Sequence, residues 1–386
     1  MIVGVGEDGH AGLPDASRQA LAWAEVVMGP PRHLALVPGG LERVEWPVPF
    51  AEGIPKLLAM RGRRVVVLAS GDPFWFGAGS VLAKALAPGE WRAIPGVSVL
   101  ALACARLGWA EEGVLALGLH AAPLQRLRPH LAPGLRAVVT LRDGEAVGAL
   151  AAYLAGEGFG ESVMQVMEAL GGPRERVRSV KAGAYALADV AHPVAVALEV
   201  AGGGAVMGRA SGRADEWFDH DGQITKRPVR ALALSALAPQ AGELLWDIGA
   251  GSGSIGIEWM LAHPACRAIG FEGDPERAAR ARANGARLGV ALEVVEGRAP
   301  GVLAGQPRPD AVFIGGGLSR DVIDALPAGV RLVAHAVTLE SEALLAQLQA
   351  ERGGALLRIE LAEAAPLGRL RGWKAAYPVV QWSVTL

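Results

Sequence analysis

The sequence is poor in cysteine and in long apolar runs, and each shortage excludes a class of protein. Two cysteines, Cys104 and Cys266, provide no disulfide framework, and we expect both to be buried and unpaired. The eight histidines show no HExxH or HxxH spacing, so the sequence predicts no protein-bound metal. Apolar stretches such as 97–105 and 244–250 are shorter than the ~18–20 residues that cross a bilayer, which predicts no membrane partner.

An excess of charge of one sign is missing as well. The 37 lysines and arginines oppose 39 acidic residues, which gives a net charge of −2. Proteins that bind nucleic acid usually carry a basic excess, so the sequence predicts no nucleic-acid partner. The first residues, MIVGVGEDGH, lack a basic segment before an apolar one, so we expect no signal peptide and a cytoplasmic protein.

Glycine (52 residues), proline (25) and apolar residues (51%) are by contrast abundant, which predicts a chain that folds around hydrophobic cores. The length of 386 residues corresponds to two or three domains. Short β-like runs alternate with helical stretches, which predicts the α/β class with mainly parallel sheets. Residues 204–222 are rich in glycine and charge and lack apolar periodicity. We interpret them as a linker between a domain at 1–203 and a domain at 223–386.

Periodicity also assigns the main elements of each half. In the first half it predicts strands at 2–5, 64–69, 91–94, 136–141, 163–167 and 194–200, and helices at 15–28, 78–87 and 145–156. In the second half it predicts helices at 228–238, 254–262 and 275–288, strands at 243–248, 267–272 and 291–295, and a fourth strand with its exit at 309–317. The halves share no internal repeat, which indicates two different α/β folds.

The second half contains a glycine-rich turn between a strand and a helix. In ELLWDIGAGSGSIGIEW, an apolar strand ends at Asp247 and is followed by glycines at alternate positions, beginning with Gly249. Such glycines let the backbone turn tightly and approach a ligand at the N-terminus of a helix. Glu272 ends the next strand, where a carboxylate can accept both hydroxyls of a ribose. The Asp-x-Gly-x-Gly-x-Gly form resembles motif I of class I S-adenosylmethionine-dependent methyltransferases.

Four further segments resemble one subfamily, the decarboxylating precorrin methyltransferases. They are the Ile-Thr-Lys-x-x-x-Arg stretch from 224, the WDIGAGSGS loop, the Ile-Gly-Gly-Gly strand exit and the Ala-Val-Thr-Leu-Glu segment at 336–340. The resemblance implies a Rossmann-like domain, and the triplet Gly315–Gly317 disfavours methylation of DNA amide nitrogens. Arg298 stands where many members carry an acid. The implied cofactor-binding residues are Thr225, Asp247, Gly249, Ala250, Gly251, Ser252, Gly253, Glu272, Arg298 and Ala299.

The first half begins with a sequence that fits a dinucleotide fingerprint. Gly4-x-Gly6-x-x-Gly9 follows a strand, but Pro14 lies where the helix should be running and no acid ends the second strand at 26–28. The segments IVGVGEDG, LASGDPFWFG, IPGVS and TLRDG together resemble the tetrapyrrole methylases, in which two α/β subdomains enclose S-adenosylmethionine. The loop Glu7-Asp8 and the residue Val99 depart from many members. The implied cofactor-binding residues are Gly4, Gly6, Gly71, Asp72, Pro73, Pro95, Gly96, Val97 and Ser98.

The order of the two halves resembles the bifunctional decarboxylating precorrin methyltransferases of cobalamin biosynthesis. The resemblance implies one S-adenosylmethionine per domain and no metal. It also implies methylation of C5 by the first domain, and methylation of C15 with decarboxylation of the C12 acetate by the second, which together yield precorrin-8X. It further suggests a homo-oligomer. Three alternatives are an RNA methyltransferase, an N-terminal dimerisation platform beside one active domain, and an NAD oxidoreductase.

A tetrapyrrole substrate with several carboxylates requires basic side chains, and Arg suits bidentate contacts. The sequence shows no Ser/His/Asp or Cys/His set, and methyl transfer to an electron-rich carbon requires chiefly alignment. The identity of the catalytic residues therefore stays open. The candidates for substrate contact are Lys226, Arg227, Arg230, Glu340 and His120.

Overall fold

The computed structural model describes all 386 residues, which form two compact units. The first unit comprises Met1–Leu124 and Leu131–Val206, and the second comprises Gln125–His130 and Met207–Leu386. None of the helices combines the length and apolar character that a bilayer crossing needs.

The first unit begins with a parallel sheet enclosed by helices. Its strands are β1 (Ile2–Val5), β2 (Val26–Gly29), β3 (Glu42–Glu45), β4 (Val65–Ser70) and β5 (Ala93–Ile94), and its helices are α1 (Asp15–Trp23), α2 (Pro31–Ala35), α3 (Gly53–Leu58) and α4 (Gly79–Ala85). The strand order is β3-β2-β4-β1-β5, and every pairing is parallel. Val3 and Val66 pack on one face, and Ile2 and Val67 pack on the other. Burial on both faces explains the continuous apolar runs of these strands.

A second sheet completes the first unit. Its elements are α5 (Val99–Leu107), β6 (Val114–Gly118), β7 (Arg136–Leu141), α6 (Gly144–Gly156), β8 (Val163–Glu168), β9 (Arg176–Lys181) and β10 (Val194–Glu199). The strand order is β6-β7-β10-β8-β9. Only the pairing of β6 with β7 is parallel, and the other three pairings are antiparallel. The expectation of mainly parallel sheets is therefore wrong for this sheet, because apolar periodicity does not report strand direction.

The second unit is built on a seven-stranded sheet. Its elements are α7 (Arg227–Leu237), β11 (Leu244–Ile248), α8 (Ser254–Ala262), β12 (Arg267–Glu272), α9 (Pro275–Arg287), β13 (Glu293–Glu296), β14 (Ala311–Ile314), α10 (Arg320–Asp324), β15 (Arg331–Ala336), α11 (Leu339–Arg352), β16 (Ala355–Ile359), β17 (Ala362–Leu367), β18 (Leu370–Ala375) and β19 (Val379–Thr385). The order is β13-β12-β11-β14-β15-β19-β16, parallel as far as β15, and β17 and β18 form a separate hairpin. The carboxyl ends of five parallel strands thus share one edge, where ligands bind in open α/β sheets.

Most predicted elements are confirmed within two residues, and one helix is wrong. The helix predicted at 15–28 ends at Trp23, and Val26–Gly29 is a fully buried strand. The β-branched Val26 and Val27 suit a sheet position between β3 and β4 better than a helix. Cys104 and Cys266 are buried and unpaired, which confirms the expectation.

Part of the predicted linker packs onto the second unit. Met207 and Phe218 are buried in its core beside Leu234, and Arg213 is 7% exposed. This segment lacks periodicity because its buried residues are held by ion pairs and isolated apolar contacts, which no regular spacing records. The domain limits 1–203 and 223–386 stay a prediction.

Candidate active sites

A cleft of about 1130 Å³ opens at the carboxyl ends of the parallel strands of the second unit. Gly249 follows β11 with a φ of +72°, and a Cβ atom at this position would lie 2.6 Å from the backbone nitrogen of Gly316. Gly253 has a φ of +74° and caps α8. Both positions therefore require glycine, since a side chain would collide with the β14 exit at Gly249 and is strained at this φ at either position.

Glu272 is fixed at the edge of this cleft by two backbone hydrogen bonds. Its Oε2 accepts from the Gly251 N–H at 2.8 Å, and its Oε1 accepts from the Asp274 N–H at 3.0 Å. The side chain is nearly buried but lines the cleft. Because each carboxylate oxygen has further lone pairs, Glu272 can still accept hydrogen bonds from a diol. The glycine loop and this carboxylate together fit a ribonucleoside with an extended polar tail.

Asp247 lies beneath the glycine loop and is 1% exposed. Its Oδ2 accepts from the Gly256 N–H at 2.9 Å in α8. Burial raises the pKa of Asp247 to about 7, and the nearby Glu272 carboxylate acts in the same direction. The carboxyl group therefore ties the loop to the helix and titrates near neutral pH.

We expect Asp247→Asn to remove a pH dependence of stability. The native carboxyl binds its proton up to about pH 7, whereas its ordinary pKa is 3.8, so wild-type stability falls as pH rises between these values. Asparagine can accept the same N–H without a charge. The free energy of unfolding of the variant, relative to that of the wild type, should therefore gain about 1.4 kcal/mol for each unit by which the pH rises within this window. Urea unfolding at pH 5 and pH 8 measures the gain, and an equal gain at both values would contradict the assignment.

The structure brings most of the predicted residues of the second unit to this one cleft. Those that line it are Thr225, Lys226, Asp247, Gly249, Ala250, Gly251, Ser252, Glu272, Arg298 and Ala299. Gly253 lies directly behind the loop as the helix cap. These residues come together because the loops after neighbouring parallel strands meet at one edge of the sheet.

Three other candidates lie outside the lining. The Arg227 Nε donates to the Gly212 carbonyl at 2.8 Å. Arg230 is fully buried, and its Nε lies 2.7 Å from Glu258 Oε1. Glu340 is exposed in the first turn of α11. Sequence spacing alone does not show which side of a helix turns toward a cleft, so it could not separate Lys226 from these residues.

Sequence reasoning missed His335 and Tyr377, which line the cleft of the second unit. His335 is the penultimate residue of β15, and Tyr377 precedes β19 and is 89% exposed. The Ala-Val-Thr-Leu-Glu segment begins directly after His335, so the position of a histidine at a parallel strand end was the available signal. Tyr377 carries no local signal, because the long β17–β18 hairpin separates it from the rest of the sheet.

The first unit has its own cleft, of about 600 Å³. Three loops predicted to bind the cofactor meet there backbone to backbone. The Gly71 N–H donates to the Val5 carbonyl at 3.0 Å, and the Gly96 N–H donates to the Gly71 carbonyl at 3.0 Å. A Cβ atom on Gly4 would overlap the Gly71 carbonyl oxygen. These glycines are thus required for the loops to approach each other.

Only some of the predicted residues of the first unit reach the lining. Those that do are Gly6, Gly71, Asp72, Val97 and His120, whereas Gly4, Pro73, Pro95, Gly96 and Ser98 are not among the lining residues. Ser98 caps α5 by accepting from the Ala101 N–H at 3.1 Å. Asp72 accepts from the Phe74 N–H at 2.8 Å. His120 Nδ1 lies 3.1 Å from the Thr140 hydroxyl.

Comparison with known proteins agrees with the division into two units. Residues 1–186 match the family model of tetrapyrrole (corrin/porphyrin) methylases. Residues 216–386 match the model of the precorrin methyltransferase domain.

Curated relatives match the chain from end to end. A precorrin-6Y C(5,15)-methyltransferase (decarboxylating) of Sinorhizobium sp is 51% identical over 395 residues, which cover 100% of this chain and 95% of that protein. A protein of the same name from Mycobacterium tuberculosis is 41% identical over 397 residues, with coverage of 100% and 99%. The crystal structure of the C-terminal domain of precorrin-6Y C5,15-methyltransferase from Rhodobacter capsulatus is 52% identical. The matched region covers 47% of this chain and 100% of the chain in that structure, with a TM-score of 0.45.

Proposed function

Since the chain belongs to the precorrin-6Y C(5,15)-methyltransferase (decarboxylating) family and is a methyltransferase, we propose that it methylates C5 and C15 of a reduced precorrin and decarboxylates its C12 acetate. The product would be precorrin-8X, in cobalamin biosynthesis. The observation that carries this proposal is the presence of two separate clefts, one in each unit, each formed where glycine loops follow parallel strands.

The two activities are divided between the units. The first unit, which matches the tetrapyrrole methylases, methylates C5. The second unit, which matches the precorrin methyltransferase domain, methylates C15 and releases carbon dioxide. A dinucleotide site at Gly4–Gly9 is disfavoured, because Gly4 is occupied in backbone packing against Gly71.

Each cleft binds one S-adenosylmethionine, which supplies an electrophilic methyl group when bound. In the second cleft Glu272 would accept hydrogen bonds from the ribose hydroxyls, and the loop at Gly249–Ser252 would hold the amino-acid part. In the first cleft the loops at Gly6, Gly71 and Val97 present mainly backbone groups. Neither cleft needs a nucleophile or a metal, because holding two reactants in line can supply about 7–11 kcal/mol of the barrier.

Basic side chains at the clefts recognise the substrate carboxylates. Lys226 lines the second cleft, with its side chain 55% exposed. Arg32, Arg142 and His120 line the first. The Arg32 guanidinium is held in place by Glu7 and by the Ser70 hydroxyl.

Calorimetry with S-adenosylhomocysteine tests the proposal. We expect two binding sites per chain, whereas one site would favour the alternative of an N-terminal structural platform. Incubation with precorrin-6B and methyl-labelled cofactor should then place label on both C5 and C15 and release carbon dioxide. A wild-type chain that transfers no methyl group to the tetrapyrrole would contradict the proposed function.

A further inference from the structure

The cleft of the second unit has two chemically different halves. The cofactor half lies at the carboxyl ends of β11, β12 and β13. It contains the glycine loop after β11, Glu272 at the end of β12 and Arg298 after β13. The other half is formed by the carboxyl ends of β14 and β15 and by the start of β19. Because strands in a sheet lie about 4.8 Å apart, β15 lies about 10 Å from β11, far enough for a second ligand beside the cofactor.

The second half is largely apolar and contains one buried ionisable side chain. Phe313, Val337 and Val379 line it, which suits the face of a conjugated macrocycle. Tyr377 lies at its exposed margin. His335 is 8% exposed and lies between the apolar residues. If the tetrapyrrole binds here, as the proposed function requires, His335 faces it.

His335 is held in one orientation by two contacts. Its Nε2 lies 3.0 Å from Gln381 Oε1, and the two residues are paired across β15 and β19. Its ring packs edge-on against Phe313, with 4.9 Å between centroids. Since an amide oxygen only accepts, the hydrogen-bond network assigns the proton to Nε2 and leaves Nδ1 as the acceptor available to a ligand. Burial lowers the pKa of His335, so the imidazole is neutral at neutral pH.

The proposed reaction requires a proton transfer that methyl transfer alone does not provide. The electron pair of C15 forms the new C–CH₃ bond while the S–CH₃ bond breaks toward sulfur, and the macrocycle takes up the positive charge. The C12 acetate then loses carbon dioxide, and the electrons of its C–C bond neutralise the macrocycle and leave an exocyclic methylene. Conversion of this methylene to a methyl group requires one proton on its carbon and the loss of one elsewhere on the macrocycle.

We propose that His335, oriented by Gln381, carries this proton. Its Nδ1 accepts a proton from the macrocycle and delivers the proton to the methylene carbon. The step is a tautomerisation, so it consumes no oxidant and no second reactant. Because burial lowers the pKa of His335, its protonated form releases the proton more readily than an exposed imidazolium does, which favours delivery to carbon.

The test separates carbon dioxide release from formation of the final tautomer. We expect H335Q to release carbon dioxide within about twofold of the wild-type rate and to form the final tautomer about 100-fold more slowly, the usual size of an acid–base contribution. H263Q is the matched control, because His263 is an exposed histidine at the end of α8, outside both clefts, and it should behave as wild type.

A second readout needs no turnover. With isotope-labelled histidine, the His335 resonance is identified by its loss in H335Q, and it should shift when precorrin-6B is added with S-adenosylhomocysteine. Unchanged binding of S-adenosylhomocysteine by H335Q shows that the cleft is folded. If both steps slow together, if neither slows, or if the resonance does not shift, the role of His335 is overturned. A wild-type chain that releases no carbon dioxide would overturn the proposed function itself.

Discussion

Glu272→Ala should abolish methylation at C15 by the second unit while leaving methylation at C5 by the first unit intact. The variant loses the carboxylate that accepts from the Gly251 N–H and faces the proposed ribose position. Hydrogen bonds to a charged group contribute about 1.5–3 kcal/mol each. The loss of two such bonds to the ribose corresponds to a 100-fold or larger increase in Kd. Calorimetry should therefore detect one S-adenosylhomocysteine site per chain instead of two.

The products of Glu272→Ala give an independent measurement. At limiting cofactor we expect a tetrapyrrole that carries one new methyl group, at C5, and that retains its acetate. Mass spectrometry and the release of labelled carbon dioxide record both. Glu276→Ala is the matched control, because Glu276 is an exposed carboxylate in the first turn of α9 and does not line the cleft. Equal loss of both methylations would show that the two sites are not independent.

Glu258→Ala should cost about 3–5 kcal/mol of folding stability in the second unit, because it removes a fully buried carboxylate and leaves the buried Arg230 with Asp215 as its remaining charged partner. The carboxylate of Glu258 accepts from the Gly212 N–H at 2.8 Å, the Arg213 N–H at 3.0 Å and the Arg230 Nε at 2.7 Å. The Arg230 guanidinium also contacts Asp215 at 3.0 Å and lies over the Phe218 ring. These bonds tie the segment before α7 to α8.

Urea unfolding measures this loss, and two comparisons interpret it. Arg282→Ala removes an exposed Arg–Glu pair, with Glu296, and should cost under about 1 kcal/mol. The double variant Arg230→Met with Glu258→Leu should regain part of the loss, because it removes the buried Arg230 guanidinium together with its carboxylate partner. The recovery is incomplete because Arg213 also loses its contact with Glu258 at 3.4 Å. A loss below 1 kcal/mol in Glu258→Ala would show that water reaches Arg230.

Loss of the Glu258–Arg230 ion pair should also affect the cleft of the second unit. The Thr225 carbonyl accepts from the Arg230 guanidinium, and Thr225 and Lys226 line the cleft. Glu258→Ala should therefore also weaken cofactor binding in the second unit at temperatures below its unfolding transition. The effect on binding arises through the position of the segment, since Glu258 itself does not line the cleft.

Local patterns predicted most of the elements and the glycine loops at the two clefts. The strand at 136–141 and the helix at 254–262 were predicted at their observed limits, because their apolar spacing is regular over the whole element. The glycines of both loop sets were identified because a positive φ or a close approach between backbone segments excludes residues with side chains at these positions. The two clefts follow from this, since loops after neighbouring parallel strands share one edge.

Pairings between distant residues could not be predicted in the same way. The antiparallel partners of β10 depend on which strands meet, and the pattern of β10 alone is compatible with either direction. Arg230 was a reasonable substrate candidate by composition, but its environment is set by Glu258 and Asp215. The segment before α7 reads as a linker because its buried contacts have no period.

By itself, the sequence determined the α/β class and the positions of the two glycine-loop systems, because these depend on backbone conformation and short-range spacing. The cofactor was implied by the resemblance of these motifs to S-adenosylmethionine-dependent methyltransferases. Only the tertiary structure decided which charged residues are exposed to a ligand. It buried Arg230 against Glu258, placed Lys226 in the cleft and set His335 against Gln381, 46 residues away. These outcomes depend on desolvation and on long-range partners, and neither is encoded in the neighbourhood of a single residue.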